Sequence, residues 1–119
     1  MELGLSQVVF SPLAQGMLTG KYKKGAPAPK GSRGDNPETA HFVQRYISEA
    51  NFEKVVKLSD FASEMGVPLA QLALAWVLAQ PNITSAIIGA TNPEQLKENV
   101  KAVEVCLNDE TLKEIQSVI

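Results

Sequence analysis

The hydrophobic pattern of the chain begins with a short buried strand and continues into a long loop. Val8, Val9 and Phe10 are β-branched or aromatic, and the turn formers Ser11 and Pro12 follow them. From residue 12 to residue 36, glycine and proline recur without apolar periodicity. Loops of this length are uncommon in compact domains and are typically functional or disordered. The pattern therefore predicts either a ligand-covering lid or a mobile surface loop.

Helical periodicity begins after this loop. Asn36 and Pro37 form a start signal, which predicts a short helix over residues 37–47. Ser48 is the candidate cap of a second helix, and Gly66 ends it. The apolar stripe of this second helix is predicted at Phe52, Val55, Val56, Ser59, Ala62 and Met65.

The second half of the chain alternates helix and strand. Pro68 begins a helix that is apolar on almost every side over residues 69–79, which predicts burial against a large surface. Residues 82–88 are predicted to form a second buried strand. Asn92 and Asn108 are the candidate caps of two further helices.

The order of these elements predicts an α/β fold with parallel strands. Two such strands do not form a free-standing sheet, because both edges and the apolar faces would lack cover. Residues 3–5 (Leu-Gly-Leu) are also typical of the glycine cap of a preceding helix. The pattern therefore predicts that the chain is about a quarter of a larger parallel structure, and that Val8, Phe10, Ile87 and Ile88 lack their neighbours.

Composition excludes several classes of function. Eleven basic and thirteen acidic residues leave a formal charge of −2, which argues against binding to nucleic acid or to a charged membrane surface. No apolar run approaches the ~20 residues of a membrane span, so membrane insertion is not expected. The single cysteine, Cys106, lies on an apolar stretch and is predicted to pack in the core. Because it cannot form an intrachain disulfide, a cytoplasmic location is expected.

Two segments that follow the predicted strands are candidate binding loops, since parallel α/β folds bind ligands at the carboxyl ends of their strands. The first loop combines glycines with the hydroxyls of Ser11 and Thr19 and the ammonium of Lys21, which suits a phosphate. A plain glycine-rich turn with a solvated lysine is the alternative. Neither loop has a cluster of metal ligands, and His41 has no partner at ligand spacing.

The second loop runs from Gly89 into the start of a helix, where free N–H groups and the helix dipole favour an anion. Thr91 could add a hydroxyl contact. Gln95 and Asn99 lie one turn apart on the same face, with Glu98 beside them, and they suit a sugar or an adenine. Helix capping alone is the alternative for this segment.

Three segments of the chain resemble the aldo-keto reductases, in particular the branch of bacterial reductases and potassium-channel β-subunits. Residues 10–22 (FSPLAQGMLTGKY) are similar to the segment after the seventh barrel strand, and residues 88–99 (IGATNPEQLKEN) to the segment after the eighth. Residues 68–78 (PLAQLALAWVL) resemble the helix between them. The resemblance implies that residues 1–119 are the C-terminal part of a (β/α)8 TIM barrel: strands seven and eight, their helices and the C-terminal helix.

The resemblance also implies an NADP(H)-dependent oxidoreductase that reduces small aldehydes or ketones by hydride transfer. The implied cradle of the cofactor pyrophosphate is Ser11, Pro12, Leu13, Gln15 and Lys21. The implied flap over the adenosine end includes Ser32 and Arg33. The implied adenosine and 2′-phosphate site is Gly89, Thr91, Gln95, Glu98 and Asn99, and Phe10 stands where related members stack an aromatic ring on the nicotinamide.

Two departures from the family pattern limit these expectations. Many members carry a basic residue where Gln95 stands, so 2′-phosphate recognition would depend on Arg33, Lys21 and backbone N–H groups. The catalytic Asp, Tyr, Lys and His of the family lie in the first half of the barrel, so no catalytic residue is predicted here and the chain alone is expected to be inactive.

Two alternatives remain. The chain could belong to a non-enzymatic, cofactor-sensing subunit similar to the potassium-channel β-subunits, or it could be a truncated gene product without function. The expected partners are a small carbonyl substrate, further copies in a homo-oligomer, or a channel-like protein.

Overall fold

A computed structural model describes residues 3–119, and it places two parallel strands in one sheet. Strand β1 spans Gln7–Phe10 and strand β2 spans Ile83–Ile87, slightly shorter than the predicted 82–88. The register pairs Phe10 with Ile87, so both strands end at the same edge of the sheet. The predicted α/β class with parallel strands is confirmed.

Helices fill most of the remaining described chain. The α-helices are α1 (Ala40–Gln44), α2 (Glu49–Glu64), α3 (Leu69–Leu78), α4 (Pro93–Val100) and α5 (Asp109–Val118). Two 3-10 helices span Ala14–Thr19, directly after β1, and Lys101–Glu104, directly after α4. The first of these is interrupted by a kink with non-helical backbone at Gln15 and Gly16, so it consists of short turns within a segment that the sequence pattern assigned to a loop.

Three predicted caps begin their helices as expected. The side chains of Ser48, Asn92 and Asn108 each accept a hydrogen bond from the backbone N–H three residues later, at 3.2, 3.0 and 2.8 Å. Gly66 adopts a left-handed φ of 73° after α2, as a glycine at a helix end commonly does.

The prediction of the first short helix was wrong in extent. The side-chain carbonyl of Asn36 accepts from the N–H of Glu38 at 2.9 Å and forms a local turn. The regular helix begins only at Ala40, whose N–H donates to the Asn36 backbone carbonyl at 2.8 Å, and it ends at Gln44. The asparagine therefore starts a turn that precedes the helix.

The hydrophobic core lies between α1, α2, α3, α5 and the segment that follows β1. Its buried members are Met17, Tyr22, Val43, Val55, Leu58, Ala62, Leu69, Leu72 and Ile115. The predicted stripe of α2 was wrong at Val56, which is 59% exposed, while Leu58 is buried in its place. Positions 55, 58 and 62 face α3 and α5 together, and position 56 lies outside that narrow face.

One face of the sheet is exposed. Val8, Phe10 and Ile87 are 61%, 80% and 60% exposed, whereas Val9 and Ala86 on the opposite face are half-buried. The expectation that these three side chains lack neighbours is confirmed within residues 3–119, and Ile88 differs because it is half-buried. Exposed apolar faces of this kind are typical of surfaces that contact another protein, a membrane or a ligand.

The prediction for Cys106 was wrong, since its side chain is exposed. Val105 has an extended backbone, and Val105 and Leu107 on either side are half-buried. Successive side chains of an extended segment point in opposite directions, which turns Cys106 outward.

Among the described helices, none taken singly has the length and apolarity needed to cross a membrane. Helices α2 and α3 reach that length and composition only as a pair, and they meet at a bend of 93°.

Candidate functional site

The loop after β1 has a strained backbone. Ser11, Ala14 and Gln15 have φ values of 52°, 48° and 59°, in the left-handed region that residues other than glycine rarely adopt. Each such residue costs of order 1–3 kcal/mol and persists only where its surroundings enforce it. Strain of this kind clusters at functional sites, and here three strained residues follow directly on a strand end.

Gln15 joins this loop to a distant part of the chain. Its side-chain amide N–H donates to the hydroxyl of Ser11, and its carbonyl oxygen accepts from the guanidinium of Arg33. We use "the flap" for residues 25–36, which contain Arg33. Three residues singled out in the sequence, Ser11, Gln15 and Arg33, are thus brought together by side-chain hydrogen bonds.

The flap is anchored by a buried tyrosine. Tyr22 is 5% exposed, and its hydroxyl oxygen accepts from the N–H of Gly34 at 3.0 Å. The flap is also closed on itself, because the N–H of Gly31 donates to a carboxylate oxygen of Asp35 at 2.8 Å. Thr39 adds a bond from its hydroxyl to the backbone carbonyl of Arg33 at 2.7 Å. These bonds fix the backbone that carries the Arg33 side chain.

Two further polar groups lie along the same loop and flap. A Cβ built on Gly16 would lie 3.8 Å from the Lys21 ammonium nitrogen, an ordinary contact distance, so this charge lies beside the glycine of the turn. The Ser32 hydroxyl oxygen is buried and has no hydrogen-bond partner within the described chain. A buried hydroxyl without a partner is costly unless a further group satisfies it.

Of the remaining predicted residues of this loop, Pro12 and Leu13 are half-buried and Phe10 is 80% exposed at the strand end. The Leu13 carbonyl accepts from the N–H groups of Gly16 and Leu18 at 3.0 and 3.2 Å. Leu13 therefore holds the tight turn with its backbone.

The loop after β2 is organised by Gln95. Its side-chain carbonyl accepts from both the N–H and the hydroxyl of Thr91, at 2.9 and 3.0 Å. Together with the Asn92 cap, these bonds fix the turn into α4. The capping role that the sequence left as an alternative is therefore present. Gly89 is exposed, and a Cβ there would meet no atom within 4 Å.

The end of α4 carries a second polar group. Glu98 has a half-exposed carboxylate, one oxygen of which forms an ion pair with Lys101 at 2.5 Å. That hydrogen bond, together with the charge of Glu98, raises the pKa of Lys101 above its ordinary value. The buried amide of Gln71 on α3 donates to the Glu98 backbone carbonyl at 2.8 Å and to its other carboxylate oxygen at 3.4 Å. Asn99 is half-buried beside this group.

Sequence reasoning missed Gln71. The signal was present, because Gln71 and no other residue is polar in the apolar run over residues 69–79. A polar side chain inside a buried helix is expected to have a hydrogen-bond partner.

The strand register relates the two loops. Side-chain hydrogen bonds join Ser11, Gln15 and Arg33 on one side and Gln71, Glu98 and Lys101 on the other, and none of those found in residues 3–119 connects the two sets. Both loops nevertheless leave the same edge of the sheet, because Phe10 and Ile87 are paired.

Charge is distributed unevenly along the chain. Residues 11–36 contain five basic side chains and one acidic side chain, whereas the rest of the chain contains six basic and twelve acidic side chains. The loop after β1 and the flap therefore carry a positive potential that attracts anions. Within residues 3–119 no three His, Cys, Asp or Glu side chains are grouped so that they could hold a metal ion.

Several known proteins are similar to this chain. A probable voltage-gated potassium channel subunit beta of Arabidopsis thaliana is 43% identical over 118 residues, which cover 98% of this chain and 36% of that protein. L-glyceraldehyde 3-phosphate reductase of Escherichia coli is 38% identical over 100 residues, or 84% of this chain and 29% of that protein. The uncharacterized oxidoreductase YrpG of Bacillus subtilis is 38% identical over 117 residues, or 98% of this chain and 33% of that protein.

The chain spans about a third of the length of these curated relatives. The sequence model of the Aldo/keto reductase family matches residues 1–119, the full length of the chain. The resemblance noted in the sequence is therefore confirmed, and the chain belongs to the aldo/keto reductase family.

Proposed function

We propose that residues 1–119 are the cofactor-binding portion of a single NADP(H)-dependent aldo/keto reductase domain. In this proposal β1 and β2 are strands seven and eight of a (β/α)8 barrel, followed by the C-terminal helix. The main support for this proposal is the parallel register of β1 and β2. It places the two loops that suit an anion at the same end of the sheet. In (β/α)8 barrels the corresponding edge holds the active site, and the loops after strands seven and eight frequently bind phosphate.

The residues present fit a dinucleotide phosphate. Lys21 lies beside Gly16, the buried Ser32 hydroxyl lacks a partner within residues 3–119, and the positive end of the α4 dipole lies at the turn after β2. The pyrophosphate would be held by Ser11, Pro12, Leu13, Gln15 and Lys21. Ser32 and Arg33 would cover the adenosine end, and Gly89, Thr91, Gln95, Glu98 and Asn99 would hold the adenosine and 2′-phosphate.

The bound cofactor would supply the hydride that reduces an aldehyde or ketone. Phe10 is exposed at the end of β1, where its ring is available to stack against a flat aromatic group. The contribution of this chain is therefore to bind and orient the cofactor.

The uneven charge supports NADP(H) over NAD(H). The 2′-phosphate adds negative charge, and the flap presents Arg33 on a backbone fixed by hydrogen bonds. Gln15 holds the guanidinium, so the charge is positioned before a ligand arrives. We expect Arg33→Ala to lower the preference for NADPH over NADH on the order of tenfold.

This expectation has a matched control. Arg45 lies outside the site, over the ring of Phe42 at 5.8 Å, and Arg45→Ala should leave the preference unchanged. The dissociation constants of NADPH and NADH are measured by isothermal titration calorimetry on the whole protein. If both variants lose the preference for NADPH over NADH equally, or if Arg33→Ala keeps it, the assignment of Arg33 is contradicted.

We further propose that the chain alone does not reduce carbonyl compounds. Tyr22 is buried with its hydroxyl bonded to Gly34, and His41 is exposed, with its ring tilted against that of Phe42 at a centroid distance of 3.9 Å. Tyr22 is committed to the hydrogen bond that anchors the flap, and His41 does not follow a strand end, so in this proposal neither serves as the proton donor. Oxidation of NADPH by a reactive aldehyde, above a matched blank without protein, would refute this proposal.

A second candidate function is supported by one comparison. The Arabidopsis relative at 43% identity is named as a probable channel subunit, so the whole protein could sense the cofactor state for a channel-like partner. Both candidates place the protein in the cytoplasm, and both allow a homo-oligomer. Turnover of small aldehydes by the whole protein favours the reductase, and tight NADPH binding without turnover favours the sensor.

A further inference from the structure

Gln71 is a buried polar residue on the apolar helix α3. It is 6% exposed, whereas Gln80, just beyond the other end of the same helix, is half-buried and donates to the carbonyl of Trp76 at 3.0 Å. Gln71 instead reaches a different helix, because its amide N–H groups meet the backbone carbonyl and a carboxylate oxygen of Glu98. Burying an amide is costly without such partners.

Gln71 cannot make the local hydrogen bond that a glutamine near the start of a helix commonly makes. Gln71 is the third residue of α3, where a glutamine commonly accepts a bond from the N–H of the cap residue. The cap residue is Pro68, which has no N–H. The side chain therefore makes a tertiary contact.

The contact of Gln71 with Glu98 provides a hydrogen-bond donor at the end of α4. Glu98 is the third residue from the end of that helix, among the last carbonyls that a helix leaves without an internal partner. The chain continues from Lys101 as a 3-10 helix, and Gln71 supplies the missing donor. The Glu98 carboxylate is then held by Gln71 on one oxygen and by Lys101 on the other, yet it remains half-exposed.

We propose that Gln71 is a positioning residue that fixes Glu98 for contact with the adenosine end of the cofactor. This inference rests on the proposed function. A carboxylate has about four lone-pair sites, so two donors leave acceptor capacity for the exocyclic amine or a ribose hydroxyl of a nucleotide. Fixing the carboxylate in advance lowers the ordering cost that binding would otherwise carry.

The test measures binding of 2′,5′-ADP, the adenosine half of the cofactor, to the whole protein. Gln71→Met keeps the length of the side chain but donates no hydrogen bond, and we expect binding about fivefold weaker. Gln80→Met removes a glutamine bond to the last turn of α3, away from Glu98, and this variant should bind as the unmodified protein does. Gln71→Glu, which keeps the shape but presents an acceptor, provides a second variant if Gln71→Met fails to fold.

A double variant separates positioning from stability. In a Glu98→Ala background, Gln71→Met should still lower the melting temperature but should no longer change the affinity for 2′,5′-ADP. Unchanged affinity in Gln71→Met, or equal loss in Gln80→Met, overturns the inference. Absence of 2′,5′-ADP binding by the unmodified protein overturns the proposed function as well, so the two failures are distinguishable.

Discussion

The contact between Gly34 and Tyr22 provides the sharpest test of how the flap is held. A Cβ at Gly34 would lie 2.8 Å from Cε1 of Tyr22 and 3.1 Å from the Cβ of Ala28. Carbon atoms pack best at about 3.5–4.0 Å, so Gly34→Ala requires the flap or the ring to move. The ring is 5% exposed and its hydroxyl is bonded to the same glycine, which leaves the flap as the element that yields.

We expect Gly34→Ala to lower the free energy of unfolding by about 1–3 kcal/mol, the usual cost of overpacking. Gly34 does not have a left-handed φ, so the cost comes from contact alone. Denaturant titration measures the stability, and trypsin cleavage at Lys30 and Arg33 reports the release of the flap. Cleavage should become faster in the variant.

Replacing Tyr22 with a smaller residue provides the control. In a Tyr22→Leu background the added methyl group has more room, so Gly34→Ala should cost less than in the unmodified protein. If Gly34→Ala changed neither the free energy of unfolding nor the rate of trypsin cleavage, the close packing would be refuted. An equal loss of stability in both backgrounds would show that Tyr22 is not the obstacle.

Three further predictions concern the bonds of the site. Gln15→Ala should weaken NADPH binding on the order of tenfold in calorimetry, because it removes two hydrogen bonds, including that from Arg33; an unchanged affinity contradicts this. Asn92→Ala should cost about 1 kcal/mol of stability in a denaturant titration, since α4 loses its cap; a change near zero would show that the cap is dispensable. Because Glu98 raises the pKa of Lys101, the stabilisation from this pair is present at neutral pH and is lost as the pH rises through that raised pKa. An NMR titration should find a lower Lys101 pKa in Glu98→Gln, and an equal pKa would exclude the pair as its cause.

Local features of the fold were predictable from the sequence. The caps at Ser48, Asn92 and Asn108 depend on a side chain and a backbone N–H three residues away, so the sequence contains both partners. The class of the sheet followed from the order of strands and helices. By contrast, helical spacing alone admitted both Val56 and Leu58, and the packing of α3 and α5 decides between them.

The sequence predicted which segments form the candidate site, but it did not predict the side-chain contacts between them. Gln15 and Arg33 are 18 residues apart, and nothing in their spacing predicts that their side chains meet. Ser11 and Gln15 also have left-handed backbone, which residues other than glycine rarely adopt, so the conformation of this turn was not predictable either. Gln71 contacts Glu98 from 27 residues away, and only its polarity within an apolar helix indicated a partner.

The central claim is that the loops after β1 and β2 and the flap bind one molecule of NADP(H). Amide hydrogen exchange of the whole protein, measured with and without NADPH, tests it most directly. The account predicts new protection in residues 11–16, 32–35 and 89–95 together, and little change along α2. Unchanged exchange in these three segments, or protection confined to α2 and α5, would contradict it.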